Sequence, residues 1–300
     1  MARSWGDAKL YAVLLMGVTA SSFAAVLIRL ADAPPLVVTT YRLTLASLIL
    51  APLGLLRCWP ELRALERRDL PWAILSGAFL TLHFAFWIAS LQHTTVASSV
   101  VFVATNPLFV GVISHLFTRD KLSSLMFAGV MLAVLGGMIV GWDDVELGGS
   151  ALWGDFLALL GAAMAAGYFL VGRKLRPKVS LLAYVTVVYS IAAVGALLLS
   201  AVTRQTLTGY STNTCLMFVL LAIGPQIIGH SSLNWALRHV SATAVGVTTL
   251  GEPMGSTVLA YLVLQEVPTL LKVGGAALIL AGIYFSLREE GQKRGLAVEV

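Results

Sequence analysis

The amino-acid sequence predicts an all-α membrane protein with ten transmembrane helices, arranged as two inverted five-helix repeats. The first observation is composition: 58% of the 300 residues are hydrophobic and only 12% are charged, well below the charged share of a soluble domain. The second observation is a series of long apolar stretches, and the third is an internal repeat. A soluble fold of this length would need more charge on its surface, so we expect most of the surface to face lipid.

A helix that crosses the hydrocarbon core needs roughly 20 mostly apolar residues. The stretches that meet this requirement lie at 9–29, 36–57, 70–91, 95–117, 122–141, 151–172, 180–202, 214–237, 243–264 and 269–287. These runs are uniformly apolar, whereas the strands of a membrane barrel would alternate in shorter segments. After the first stretch, Ala33-Pro34-Pro35 leads straight into another apolar stretch, so we interpret the first stretch as a retained helix and not as a signal peptide.

The basic residues predict the orientation of the chain, because cytoplasmic loops carry an excess of Lys and Arg. With a cytoplasmic N-terminus, sixteen of the 20 Lys and Arg residues lie on the cytoplasmic side and only Arg29, Arg204 and Lys272 lie outside. The net charge of +5 is therefore interpreted as a topology signal and not as a nucleic-acid-binding patch. We expect a multi-pass protein of the bacterial inner membrane with both termini in the cytoplasm.

The chain also aligns with itself when it is shifted by 146 residues. Asn106-Pro107 then lies over Glu252-Pro253, and the glycines Gly129 and Gly136 lie over Gly275 and Gly282. Each copy holds five spans, so the second copy enters the membrane from the opposite side, as in the inverted repeats of secondary transporters. The predicted organisation is a first repeat at 1–141, an outer loop at 142–150 and a second repeat at 151–300.

Each half resembles an EamA domain of the drug/metabolite transporter superfamily. The residues that carry the resemblance are Leu91, Pro107, Asp120, Gly129 and Gly136 in the first half and Leu237, Pro253, Glu266, Gly275 and Gly282 in the second. Tyr41-Arg42-Leu43 resembles the family's Arg-aromatic motif, with Leu43 where Phe is usual. The resemblance implies a secondary carrier and looks closest to bacterial exporters of aromatic amino acids. Export of other small metabolites or amphipathic drugs is the alternative.

Two charged residues fall deep inside predicted spans, Arg42 in the second and Glu252 in the ninth. Ionisable groups inside a membrane are costly and are candidates for function. In one interpretation they bind a zwitterion, with the guanidinium on the carboxylate and the Glu252 carboxylate on the ammonium. In the other, Arg42 reaches the interface or caps carbonyls, and Glu252 accepts from backbone donors that Pro253 frees.

Aromatic and polar side chains provide the remaining candidates for a substrate cavity. Phe79, His83 and Trp87 share one helical face, and Gln226, His230 and Asn234 share another. An aromatic wall opposite a polar wall suits a solute with an apolar ring and a polar backbone, although ordinary helix packing would also explain these faces. The further candidates are Tyr41, Asn106 and Trp235 for the cavity and Pro107 and Pro253 as hinges.

Motifs for other classes of function are absent from the sequence. The chain contains no G-x-x-x-x-G-K-[ST] loop for ATP, and neither H-E-x-x-H nor Cys-x-x-Cys for a metal. We therefore expect no enzyme activity and no cofactor. The expected partners are a small-molecule substrate and the lipid bilayer, with no nucleic acid, and a monomer is plausible.

Overall fold

A computed structural model of the chain describes residues 2–118, 124–145, 148–176, 178–236, 238–239 and 248–293. The regular elements in these ranges are helices. They are α1 Ala2–Ser22, α2 Ala24–Leu30, α3 Pro35–Arg57, α4 Trp59–Arg63, α5 Leu70–Ser90, α6 Val96–Val103, α7 Asn106–Thr118, α8 Ser124–Val145, α9 Gly149–Leu175, α10 Leu181–Val202, α11 Thr212–Leu221, a π-helical segment Ala222–His230, α12 Ser231–Ala236, α13 Gly251–Leu264 and α14 Leu270–Lys293.

Among the described residues, eight helical segments are long and apolar enough to cross a membrane. They correspond to the first eight predicted spans, from Lys9–Leu30 to Thr212–Ala236. The ninth predicted span begins at 243, outside the described residues, and its described helix is the shorter α13. The apolar part of α14 is Leu270–Phe285, which is also shorter. Large apolar side chains such as Leu56, Leu198 and Leu262 are exposed on the outer faces of their helices, as lipid contact requires.

Several predicted spans are interrupted. The first bends at Phe23, between α1 and α2. The fourth, predicted over 95–117, is interrupted within the span: α6 ends at Val103 and α7 begins at Asn106. Pro107 explains this break, because proline has no N–H to donate and is tolerated in the first turn of a helix. The eighth span changes from α to π geometry over Ala222–His230.

Helices α8 and α14 pack directly against each other through glycines. A Cβ on Gly136 would lie 2.8 Å from the backbone nitrogen of Ile279, and a Cβ on Gly282 would lie 2.7 Å from that of Ala133. Real Cβ atoms do not approach backbone this closely, so only glycine permits this spacing of the two helix axes. Small residues serve the same purpose in other membrane helix pairs.

Replacing Gly282 by valine should therefore destabilise the fold by about 3 kcal/mol, the upper part of the usual overpacking range. The backbone of α8 cannot move away as a flexible side chain would. The measurement is thermal unfolding of the purified protein in detergent. The matched control is Gly274→Val on the same helix, because a Cβ at Gly274 meets no atom within 4 Å. Equal melting temperatures for the two variants would contradict this account of the helix pair.

Polar contacts hold the two ends of the helix bundle. At one end, Lys178 Nζ lies 2.5 Å from Asp69 Oδ1, and Glu61 accepts from the backbone N–H of Ser180. The Lys178 ammonium, as a hydrogen-bond donor, lowers the pKa of the Asp69 carboxyl. At the other end, which we call the Lys272 end, Arg29 pairs with Glu266 at 2.5 Å, and Glu266 Oε2 accepts from the N–H of Val96. The candidate site lies between these two ends.

Candidate functional site

A cavity opens in the interior of the bundle, between residues of α1, α3, α5, α7, α9, α13 and the π-helical segment. Seven of the residues singled out in the sequence line it: Arg42, His83, Trp87, Asn106, His230, Glu252 and Pro253. Its volume is about 60 Å³, which is room for only a few water molecules. A drug-sized ligand usually needs a pocket of roughly 300 Å³ or more. An amino acid could therefore enter only after the lining helices separate.

Arg42 reaches the cavity from α3, and its side chain is 0% exposed. Its Nε donates to Gln226 Oε1 at 2.8 Å, and its guanidinium carbon lies 3.9 Å from the centre of the Phe84 ring. These contacts hold the guanidinium plane inside the bundle, so the side chain does not extend to the membrane interface. One guanidinium nitrogen, Nη1, is buried without a hydrogen-bond partner. That nitrogen is a donor available to a bound acceptor.

Glu252 reaches the same cavity from the first turn of α13 and is half-buried. Its Oε1 atom is buried without a hydrogen-bond partner. The ion pairs found among the described residues do not include one between Glu252 and Arg42, although both side chains line the cavity. A buried charge without a partner is expensive. Arg42 and Glu252 therefore line one cavity without satisfying each other's polar atoms.

Aromatic rings form the wall around His83. The imidazole stacks on Trp87, with ring centres 6.0 Å apart, and Phe84 meets the edge of His230 at 5.3 Å. His83 Nδ1 lies 2.9 Å from the carbonyl oxygen of Gly161, which can only accept, so Nδ1 carries a proton and donates. Glycine at 161 allows this approach, because a Cβ there would lie 3.2 Å from Trp87 Cβ. The indole Nε1 of Trp87 is buried without a partner.

Breaks in two helices place polar residues at the cavity. Asn106 is the first residue of α7 and Glu252 the second of α13, and each directly precedes a proline. Because a proline cannot donate to the preceding turn, each helix begins just before it. Ala104, in the break before α7, also lines the cavity. The broken backbone faces protein at this depth, which is where a membrane tolerates it.

Other residues predicted for the cavity lie outside its lining. Tyr41 stacks on Phe218 with ring centres 4.3 Å apart, and its hydroxyl donates to the carbonyl of Leu207. Gln226 lies behind Arg42 and positions it. Phe79 packs against Gly167 of α9.

Asn234, Trp235 and Pro107 also lie outside the lining. The Asn234 amide donates to the Tyr168 hydroxyl at 2.8 Å, and Trp235 packs on His239 with ring centres 4.1 Å apart. Pro107 follows Asn106 in the first turn of α7.

Three polar lining residues were not singled out in the sequence: Ser21, Tyr168 and Ser256. Tyr168 is almost fully buried, and its hydroxyl accepts from Asn234. The available signal was a polar side chain in the middle of a span, such as Ser21 in the first and Tyr168 in the sixth. That signal is weak, because hydroxyl groups are common in membrane helices and usually bond to their own backbone.

The profile of the EamA-like transporter family matches residues 8–142 and 152–288. The chain belongs to this family. It is thus a multi-pass membrane protein, and its family membership points to a transporter and not to an enzyme.

Related proteins include two with named activities. This EamA protein is 25% identical over 300 residues to a probable amino-acid metabolite efflux pump of Escherichia coli strain K12, with 96% of each chain covered. It is also 25% identical to the pseudopaline exporter CntI of Pseudomonas aeruginosa strain UCBPP-PA14, over 76% of this chain and 79% of that one. A solved structure titled only as a crystal structure of a protein superposes with a TM-score of 0.67 at 18% identity. That superposition covers 93% of this chain and 97% of the other, and it supports the fold alone.

Proposed function

We propose that this EamA protein exports amino acids, with aromatic and other apolar side chains favoured, across the bacterial inner membrane by alternating access. One observation carries the proposal: a guanidinium nitrogen of Arg42 and a carboxylate oxygen of Glu252 face one cavity, each without a partner. An amino acid presents the complementary charges on adjacent groups. The Arg42 fork suits a carboxylate, and Glu252 suits an ammonium.

The aromatic lining supports the preference for apolar side chains. Trp87 and His83 offer stacked ring faces to the cavity, and a substrate ring would pack against them. The E. coli relative, named an amino-acid metabolite efflux pump, supports the same chemical class. The Pseudomonas relative is named for exporting pseudopaline, so the second candidate is the export of another small metabolite or an amphipathic drug.

The proposed mechanism uses two inverted five-helix repeats, 1–141 and 151–300, joined by an outer loop at 142–150. The α8–α14 contact supports this arrangement: Gly136 meets Gly275, and Gly282 meets Gly129. At the shift of 146 residues, Gly136 is equivalent to Gly282 and Gly129 to Gly275, so each contact is the counterpart of the other. A two-fold axis between the copies would require such paired contacts. Pro107 and Pro253 occupy equivalent places after equivalent breaks, where hinge motion would widen the cavity. Both termini are then cytoplasmic and the Lys272 end lies outside.

The test is counterflow in proteoliposomes loaded with unlabelled tryptophan. We expect labelled tryptophan, phenylalanine and leucine to accumulate, and glutamate and lysine to remain at the level of protein-free vesicles. Labelled sugars and cationic dyes complete the panel. If dyes or other metabolites exchange and no amino acid does, the second candidate replaces the first.

A further inference from the structure

Three carboxylates and one ammonium are buried together at the Lys272 end of the bundle, away from the cavity. We call Asp143, Asp144, Asp155 and Lys272 the acid cluster. Their exposed fractions are 8%, 0%, 5% and 5%. They come from three helices, α8, α9 and α14, that are distant in sequence. With every group ionised, the acid cluster would hold two negative charges in excess.

The single ammonium is already fully engaged. Lys272 Nζ lies 2.6 Å from Asp144 Oδ1 and 3.7 Å from Asp143 Oδ2, and it donates to Thr95 Oγ1 at 3.2 Å. The other oxygen of Asp144, Oδ2, accepts from Ser98 Oγ at 2.8 Å. Lys272 thus neutralises Asp144, and no ammonium or guanidinium in the described part of the chain pairs directly with Asp155.

Asp155 is the carboxyl of the acid cluster whose negative charge no neighbouring cation neutralises directly. Its Oδ1 accepts from Thr94 Oγ1 at 2.9 Å, but its Oδ2 is buried without a partner. The charged groups that act on it are Asp144 from α8 and, more weakly, Lys272 from α14. His93, in the loop that carries Thr94, bonds Ser150 and is exposed. A buried carboxylate next to a like charge is costly, and such groups take up a proton to become neutral.

We propose that the acid cluster is a proton-binding site, in which Asp155 holds the proton and directs it towards Asp144. When Asp155 is protonated, its unpartnered oxygen carries a hydrogen and can donate a hydrogen bond. Protonation also removes one negative charge from the acid cluster. A proton fits better than a metal ion, because no group of three acidic, histidine or cysteine side chains in the described ranges has a metal-binding arrangement.

The position of the site links proton binding to closure of the Lys272 end. The acid cluster joins α8, α9 and α14 to the loop before α6, beside the Arg29–Glu266 pair. Separating these elements would expose Asp155 to water, and an exposed carboxylic acid releases its proton at neutral pH. Closure therefore binds a proton and opening releases one, so acid on this side favours the closed state.

Infrared difference spectroscopy on the purified full-length protein tests the site without any transport assay. At neutral pH the wild type should show a carbonyl band of a buried carboxylic acid that shifts in D2O, and the spectrum of Asp155→Asn should lack the component of this band that comes from Asp155. The control Asp32→Asn, at an exposed acid of the same end, should keep the band. Because the test needs no substrate, its result is independent of the proposed export of amino acids.

Thermal unfolding provides a second measurement. The melting temperature of Asp155→Asn should equal or exceed that of the wild type, since a neutral amide replaces a neutral acid. Asp144→Asn should have a lower melting temperature, because it removes the main ion-pair partner of Lys272.

Identical infrared spectra for the wild type and Asp155→Asn would overturn the proposal, as would equal losses of melting temperature in Asp155→Asn and Asp144→Asn. A band seen only after sodium is replaced by choline would assign a sodium site instead. If Asp155→Asn does not fold, the proposal fails, because the substitution is expected to be neutral.

Discussion

Replacing Arg42 by methionine is expected to reduce tryptophan counterflow by about 30-fold or more. Truncating one partner of a buried, hydrogen-bonded charge pair costs about 2–5 kcal/mol, and each 1.4 kcal/mol is about tenfold in affinity. The variant should still fold, because methionine has a similar length and removes a buried charge. The measurement is the initial rate of counterflow in proteoliposomes at matched protein content.

Two further variants make the Arg42 result specific. Arg57→Met changes an exposed arginine on the same helix, so it should transport at the wild-type rate. Arg42→Lys should retain part of the activity, because an ammonium keeps the charge but cannot hold Gln226 and a carboxylate in one plane. Wild-type counterflow by Arg42→Met would show that the guanidinium has a structural role only.

Replacing Glu252 by glutamine is expected to change which substrate is carried. Tryptophan should lose about tenfold or more in counterflow, since a hydrogen bond to a charged group contributes roughly 1.5–3 kcal/mol. Indole-3-propionate has the same ring and a carboxylate but no ammonium, so the substitution should leave its transport unchanged or increase it. The ratio of the two rates is the decisive quantity, because it cancels differences in protein content.

An exposed acid provides the control for Glu252. Asp32→Asn removes one carboxylate without touching the cavity, and it should leave the ratio of the two rates at the wild-type value. If Glu252→Gln slows the transport of tryptophan and of indole-3-propionate equally, the Glu252 carboxylate does not bind the ammonium. The substitution then affects transport through the motion of α13.

In the described part of the chain, hydropathy predicted the first eight membrane spans correctly, because hydropathy is a local property of the sequence. A long apolar segment in lipid must satisfy its own backbone N–H and C=O groups, so it forms a helix whichever segments surround it. The interruptions were harder to predict. Pro107 was noted as a hinge, but a proline does not always interrupt a helix, since Pro52 lies inside α3. The π geometry of Ala222–His230 has no single-residue signature in the sequence.

The candidate site was predictable in part for the same reason. Helical faces identify which side chains point the same way, but not which neighbouring helix they meet. Tyr41 and Asn234 were therefore assigned to a cavity although they bond to Leu207 and Tyr168. The acid cluster was missed because Asp143 and Asp144 lie in the predicted outer loop, and Asp155 and Lys272 lie near the ends of predicted spans, where charged residues are common. Only the packing of α8, α9 and α14 brings Asp144, Asp155 and Lys272 together.

The π-helical segment makes the eighth span sensitive to chain length as well as to residue type. A π turn contains one residue more per hydrogen-bonded ring than an α turn, which is the geometry that a one-residue insertion produces. Deleting a residue near Ala222 would allow a regular α-helix, in which the residues of the segment would project in different directions from those that the π turns give them. Gln226 and His230 would then meet different neighbours although both are retained. A one-residue insertion or deletion here would therefore reshape the cavity wall at His230 without replacing any lining residue.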